Sequence, residues 1–117
     1  MDSFATAGGI YLQPGSETVP YSFTFTIASS GTANDGAIPY GTTISSAVVK
    51  AFDSGGVDRT TEMVVASSVI SPVVHVTLKY PATTGAGRYS LEFVLTLSTG
   101  AKMEFDFTRV RAEDVTV

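Results

Sequence analysis

The residues nearest to chemistry are Asp53-Ser54-Gly55-Gly56, the lone His75 and the carboxylates Glu92 and Asp106. Asp-Ser-Gly-Gly is a setting in which one class of hydrolases carries its nucleophilic serine. That serine needs a histidine base, itself held by an acid. In the trypsin-like order histidine precedes serine. Here the only histidine follows Ser54, and 117 residues are too few for a two-barrel protease. Asp, Ser and Gly are turn formers, so residues 53–56 read as a turn. His75 has no cysteine to join it at a zinc site, which would then need several carboxylates. It reads as an exposed or interfacial strand residue. Asp53 and Asp58 bracket a glycine-rich turn and could hold calcium weakly, but their spacing is not that of an EF-hand loop. Glu92 and Asp106 could act as a glycosidase pair, yet their strand positions point outward, with no cleft implied. A nearby cation from Arg88, Lys102 or Arg109 would explain them more simply. No catalytic, cofactor-binding or metal-ligating residue is expected, and the chain is read as a non-enzyme.

The element that organises these positions is a hairpin over residues 88–109. Tyr89, Leu91, Phe93, Leu95 and Leu97 fall on one face of its first arm, and Met103, Phe105 and Phe107 on one face of its second. Strict alternation is the period of a half-buried strand. A three-residue loop at 98–100 pairs Leu95 with Met103, Phe93 with Phe105 and Leu91 with Phe107. A two-residue loop would set Leu97 against Lys102, because a one-residue slip inverts every side chain. Gly100 suits the left-handed position that closes a three-residue loop.

The remaining segments fit the same scheme. Tyr21, Phe23, Phe25 and Ile27 alternate behind Pro20, a residue tolerated at a strand entrance. Residues 28–41 form a long loop, and such loops often bind. Residues 44–52 form a strand with imperfect alternation through Ala47, Val48, Val49 and Ala51. Residues 60–70 supply one or two short strands before Pro72 breaks the run. Val74, Val76, Leu78 and Tyr80 alternate on the next strand, and residues 113–117 could add an edge pairing. About seven short strands, with no segment of helical period, predict a single all-β antiparallel sandwich of immunoglobulin-like architecture. Without Trp or Cys, the antibody-type core signature is missing. Residues 1–18 read as a flexible N-terminal arm with at most one short strand at Ile10-Tyr11-Leu12, and 19–117 as the sandwich. That arm either frays or docks on a neighbouring subunit.

Composition narrows the function classes. Net charge is −4, the isoelectric point is about 4.7, and charged residues make up 15% of the chain. A backbone-tracking nucleic-acid binder would be basic, so that class is disfavoured. No stretch approaches a membrane span, and the N-terminus lacks the pattern of a signal peptide. Absence of cysteine fits folding in a reducing compartment. The low charge has two readings: a surface partly covered by partners, or a sandwich face rich in Ser and Thr.

Four stretches carry a resemblance: Tyr11-Leu-Gln-Pro-Gly-Ser-Glu-Thr-Val-Pro-Tyr-Ser-Phe-Thr-Phe, Gly41-Thr-Thr-Ile-Ser-Ser-Ala-Val-Val-Lys-Ala, Gly85-Ala-Gly-Arg-Tyr-Ser-Leu-Glu-Phe-Val-Leu and Phe105-Asp-Phe-Thr-Arg-Val-Arg. Together they resemble the small immunoglobulin-like structural proteins of tailed bacteriophages, of the fibre–tail adaptor and baseplate upper-protein N-terminal type. The resemblance is one of strand pattern and covers most of the chain. It implies a virion protein assembled in the host cytoplasm, an adaptor at tail, neck or fibre or a decoration of the capsid, with no enzyme activity and no cofactor. Its partners would be other virion proteins and copies of itself, in a symmetric assembly. The contact residues expected are Ile10, Tyr11 and Leu12 in the arm, Asn34, Asp35 and Tyr40 in the long loop, and Arg109 and Arg111 in the charged tail. The alternative is a carbohydrate-binding or adhesin-type module, with a glycan held by Tyr40 and the loop at Asn34-Asp35.

Overall fold

In the computed structural model, residues 10–12, 14, 18–33 and 35–112 are described. They contain β1 (Ile10–Leu12), β2 (Val19–Thr24), β3 (Ile44–Asp53), a helical turn α1 (Thr60–Met63), β4 (Val64–Ile70), β5 (Val73–Leu78), β6 (Gly87–Leu97) and β7 (Lys102–Ala112). One sheet has the order β1-β7-β6-β3 and the other β2-β5-β4. In immunoglobulin lettering these are G-F-C and B-E-D, with the first strand on the free edge of G. All pairings are antiparallel except β1 with β7, which is parallel.

The β6–β7 hairpin has the expected register. Leu91 stands opposite Phe107, Phe93 opposite Phe105 and Leu95 opposite Met103. The loop closes with Leu97 N–H donating to the Ala101 carbonyl at 2.8 Å and Gly100 N–H to the Leu97 carbonyl at 2.9 Å. Gly100 has φ +90°, in the left-handed region that only glycine enters cheaply.

Alternation breaks at three bulges. In β7, Thr108 and Arg109 together oppose Ser90, so that Tyr89 pairs with Val110 rather than Arg109. The extra residue reverses the phase of everything after it. Phe107, Val110 and Ala112 therefore face the core, and Arg109 and Arg111 face solvent. A second bulge, at residues 44–46, explains the imperfect pattern of β3, and a third lies between Val64 and Ala66.

The core lies between the sheets. Phe23 and Phe25 meet Phe93, Phe105 and Phe107 across it, with ring centroids 4.8–5.4 Å apart in tilted or edge-to-face arrangements. Burial of each such ring is worth roughly 1.5–3 kcal/mol. This aromatic layer fills the place that Trp and a disulfide take in antibody domains.

Four expectations need correction. The segment Ile10–Leu12 is not simply an arm: Ile10 and Leu12 are 1% and 2% exposed, packed in the core of their own chain. A three-residue strand gains its place from this burial and from pairing with β7. The second strand stops at Thr24, and Ile27 instead forms an isolated parallel bridge with Ile38. Residues 60–63 make a helical turn, with Met63 fully buried, before the strand begins. Tyr80 lies beyond β5, packed partly buried against the core. The expected edge pairing at 113–117 lies outside the described residues.

Candidate functional site

The Asp53 turn is a structural node. Asp53 Oδ1 accepts the N–H groups of Gly55 at 2.9 Å and Val57 at 3.0 Å. Its Oδ2 accepts Arg59 Nε at 3.0 Å, and Arg59 Nη1 donates to Glu62 at 3.2 Å. Thr84 Oγ1 reaches the other Glu62 oxygen at 3.4 Å, joining the turn to the loop before β6. The Val57 N–H, followed by Arg59 and Gly55, holds the Asp53 carboxyl below the usual carboxylate range, and Arg59 is correspondingly pushed up. Both Asp53 oxygens are thus committed to holding the turn. Asp58 accepts the Thr60 N–H at 2.8 Å at the start of α1. Among the described residues, no group of three His, Asp or Glu side chains could hold a metal ion. Arg59 was not singled out from sequence. Its two carboxylate partners, three and six residues away along a bend, have no periodic signature.

His75 is spent on a local contact as well. Its Nδ1 lies 3.0 Å from Ser22 Oγ, and its register partners are Ser22 on β2 and Ser68 on β4. Among the described residues, no Asp or Glu joins the pair in a group of three. Glu92 and Asp106 do stand opposite one another. Lys50 of β3 is the register partner of Glu92 and places a cation beside it in the ladder.

The two faces of the sandwich differ in charge. The outward side of β3-β6-β7 carries Lys50, Arg88, Glu92, Lys102, Glu104, Asp106, Arg109 and Arg111. Among the described residues, the outward strand positions of β2-β5-β4 are Pro20, Ser22, Thr24, Ala66, Ser68, Ile70, Val73, His75 and Thr77, none of them Asp, Glu, Lys or Arg, with the exposed Lys79 following directly after β5. Both readings of the low charge therefore have a place to live: one face is polar and uncharged, and the other is densely mixed.

The expected contact residues separate into two sets. Ile10, Tyr11 and Leu12 pair with Val110, Arg111 and Ala112 at the end where β6 begins. Ile10 and Leu12 face inward, the Tyr11 side chain lies outside the described part of the structure, and Arg109 and Arg111 are exposed. The long loop lies at the other end, where Thr43 N–H donates to Ser98 Oγ at 3.1 Å. The two ends are separated by the eleven residues of β6, about 33 Å at ~3.3 Å per residue. Within the loop, Ser29 donates to Asp35 through its N–H at 3.0 Å and its hydroxyl at 2.6 Å. The Ser29 hydroxyl, then the Ser29 N–H, keeps the Asp35 carboxyl below its ordinary range. Ile38 is fully buried, with N–H and carbonyl bonded to Thr26 and Ala28. Tyr40, just beyond this anchor, is 59% exposed. Asn34 lies outside the described residues.

One further feature defines the class. Tyr89, near the start of β6, donates its hydroxyl to the Gly85 carbonyl at 2.7 Å. A tyrosine bonded back to the corner before strand F is a mark of immunoglobulin-like sandwiches. Strand order, aromatic layer and corner together make this chain an immunoglobulin-like β-sandwich. Neither a protein-family model nor a curated protein matches it.

Proposed function

We propose that this chain is a non-enzymatic structural component of a tailed bacteriophage virion, an adaptor or accessory sandwich acting through subunit contacts. The observation that carries the reading is the outer face of β3-β6-β7. There the β7 bulge turns Arg109 and Arg111 outward beside a mixed row of carboxylates and lysines. Alternating charge on a flat sheet face suits a specific partner surface, which it can orient by complementarity. The strand pattern that resembles phage sandwich proteins runs through the same β6–β7 hairpin. The test is incorporation into particles of a chain carrying Arg109→Glu and Arg111→Glu. Folded but unincorporated protein is expected, and normal incorporation would count against the reading.

A second reading rests on Tyr40. It is an exposed aromatic beside a loop clasped by Ser29 and Asp35, and rings of this kind form carbohydrate platforms. Glycan-array binding that disappears in Tyr40→Ala would favour this adhesin-type alternative, and a blank array would dismiss it.

A further inference from the structure

Strand β4 is an edge without the usual defences. An edge strand presents outward N–H and C=O groups and templates pairing unless it is short, charged, interrupted by proline or bulged. Among the described residues, the four sheet edges differ in these terms. β1 has only three residues, β2 contains Pro20, and β3 carries Lys50 and a bulge. β4 reads Val-Val-Ala-Ser-Ser-Val-Ile, with no charge and no proline. Its bulge lies at its beginning, leaving Ala66 to Ile70 in unbroken register with β5. Residues 65–68 are exposed whichever way they point, and Ile70 is 69% exposed, although β4 runs close to β3 of the other sheet.

We infer that β4 is the site of antiparallel strand pairing with a second copy of this chain, continuing two three-stranded sheets into one of six strands. Charge selects the occupant. Each copy carries net charge −4, yet no like charges oppose one another along β4, so two copies approach there without repulsion on the strand. A charged peptide would find no complement on it. Antiparallel self-pairing about a two-fold axis is self-complementary and stops at two copies. Side-chain alternation restricts the register further, because a residue must oppose one of its own face. With Ser68 on the axis, Ser68 meets Ser68 of the other copy, Ala66 covers Ile70, and Ser67 meets Val69. The uncharged outer face then runs unbroken across both copies. The inference follows from the edge alone and stands apart from the virion reading.

Light scattering behind size exclusion tests it on the full chain. The expected mass at high concentration is twice the 12.2 kDa of one chain, falling to a single chain in Ser68→Lys/Ile70→Lys with circular dichroism unchanged. The chain has no cysteine, so Ser68→Cys supplies a single thiol. Directly opposed antiparallel residues have Cα atoms about 4.5–5.5 Å apart, within disulfide range. Ser68→Cys should cross-link under oxidised glutathione, while Ser54→Cys, in an exposed turn, should not. A monomer at every concentration, or a dimer indifferent to these substitutions, overturns the inference.

Discussion

Tyr89 and Gly85 are joined by a 2.7 Å hydrogen bond from the phenol to the backbone carbonyl. This bond ties the loop before β6 to the strand, with the Tyr89 ring 4% exposed at the edge of the core. Tyr89→Phe keeps the ring and leaves the carbonyl without that donor. The loss should be roughly 1 kcal/mol, read as a lower urea midpoint with an unchanged slope. An unaltered midpoint would mean that the corner contributes nothing.

The β7 bulge is one extra residue in an otherwise regular ladder. Deleting Thr108 would leave Arg109 alone opposite Ser90, with Val110 and Ala112 still inward and Arg111 still outward. Cooperative thermal unfolding should be kept. Loss of a sharp native melt would show that β7 needs the bulged backbone itself.

Burial of β1 makes it part of the fold. Leu12→Ala should cost about 2–4 kcal/mol, the range for removing a buried leucine side chain. Removal of residues 1–12 should expose Val110 and Ala112, which stand beside Ile10 and Leu12 in the sheet, and raise dye binding to apolar surface. A truncated chain as stable as the whole would contradict this packing.

Acid should loosen the turn at Asp53. Its folded carboxyl titrates below the unfolded one because the Val57 N–H, Arg59 and the Gly55 N–H favour the charged form. Its contribution is therefore complete above the ordinary carboxylate value of ~4 and is lost as pH falls through the depressed folded value. Asp35 and Asp58 have the same sign. Asp53→Asn should lower the melting temperature at neutral pH and flatten the decline below about pH 4. Parallel pH curves for the two proteins would refute the assignment.

Gly36 should not tolerate a side chain. A Cβ there would collide with the backbone of Ile27 and Ala28, against which the loop anchor at Ile38 is built. Gly36→Ala should shift the amide resonances of Ala28 and Ile38, and an unperturbed spectrum would show that the loop is not held this way.

Much of this fold was legible because its information is local and periodic. The β6–β7 register followed from where Leu97 and Lys102 would fall under each loop length, and the inward sets of β2 and β5 from simple alternation. What was hidden is non-local or breaks the period. A bulge shows along the chain only as a change of phase, as from Phe107 to Val110, and the partner strand is needed to show which two residues face one. Three residues at Ile10–Leu12 are too few for a period, and their parallel pairing joins opposite ends of the chain. The contact residues expected in the arm were apolar and near a terminus, which reads alike for a docking arm and for a short core strand. Arg109 was expected in a charged tail; the bulge places it on the outer sheet face. The Asp53–Arg59–Glu62 node depends on a tight turn folding back, which composition alone does not reveal.

Quantitative mass spectrometry of density-purified tailed particles from the source culture bears most directly on the assembly reading. The account predicts the tryptic peptide spanning residues 89–102 in those particles, at a fixed ratio to the other structural proteins. Finding the chain only in the unassembled fraction, with none in the particles, would contradict it.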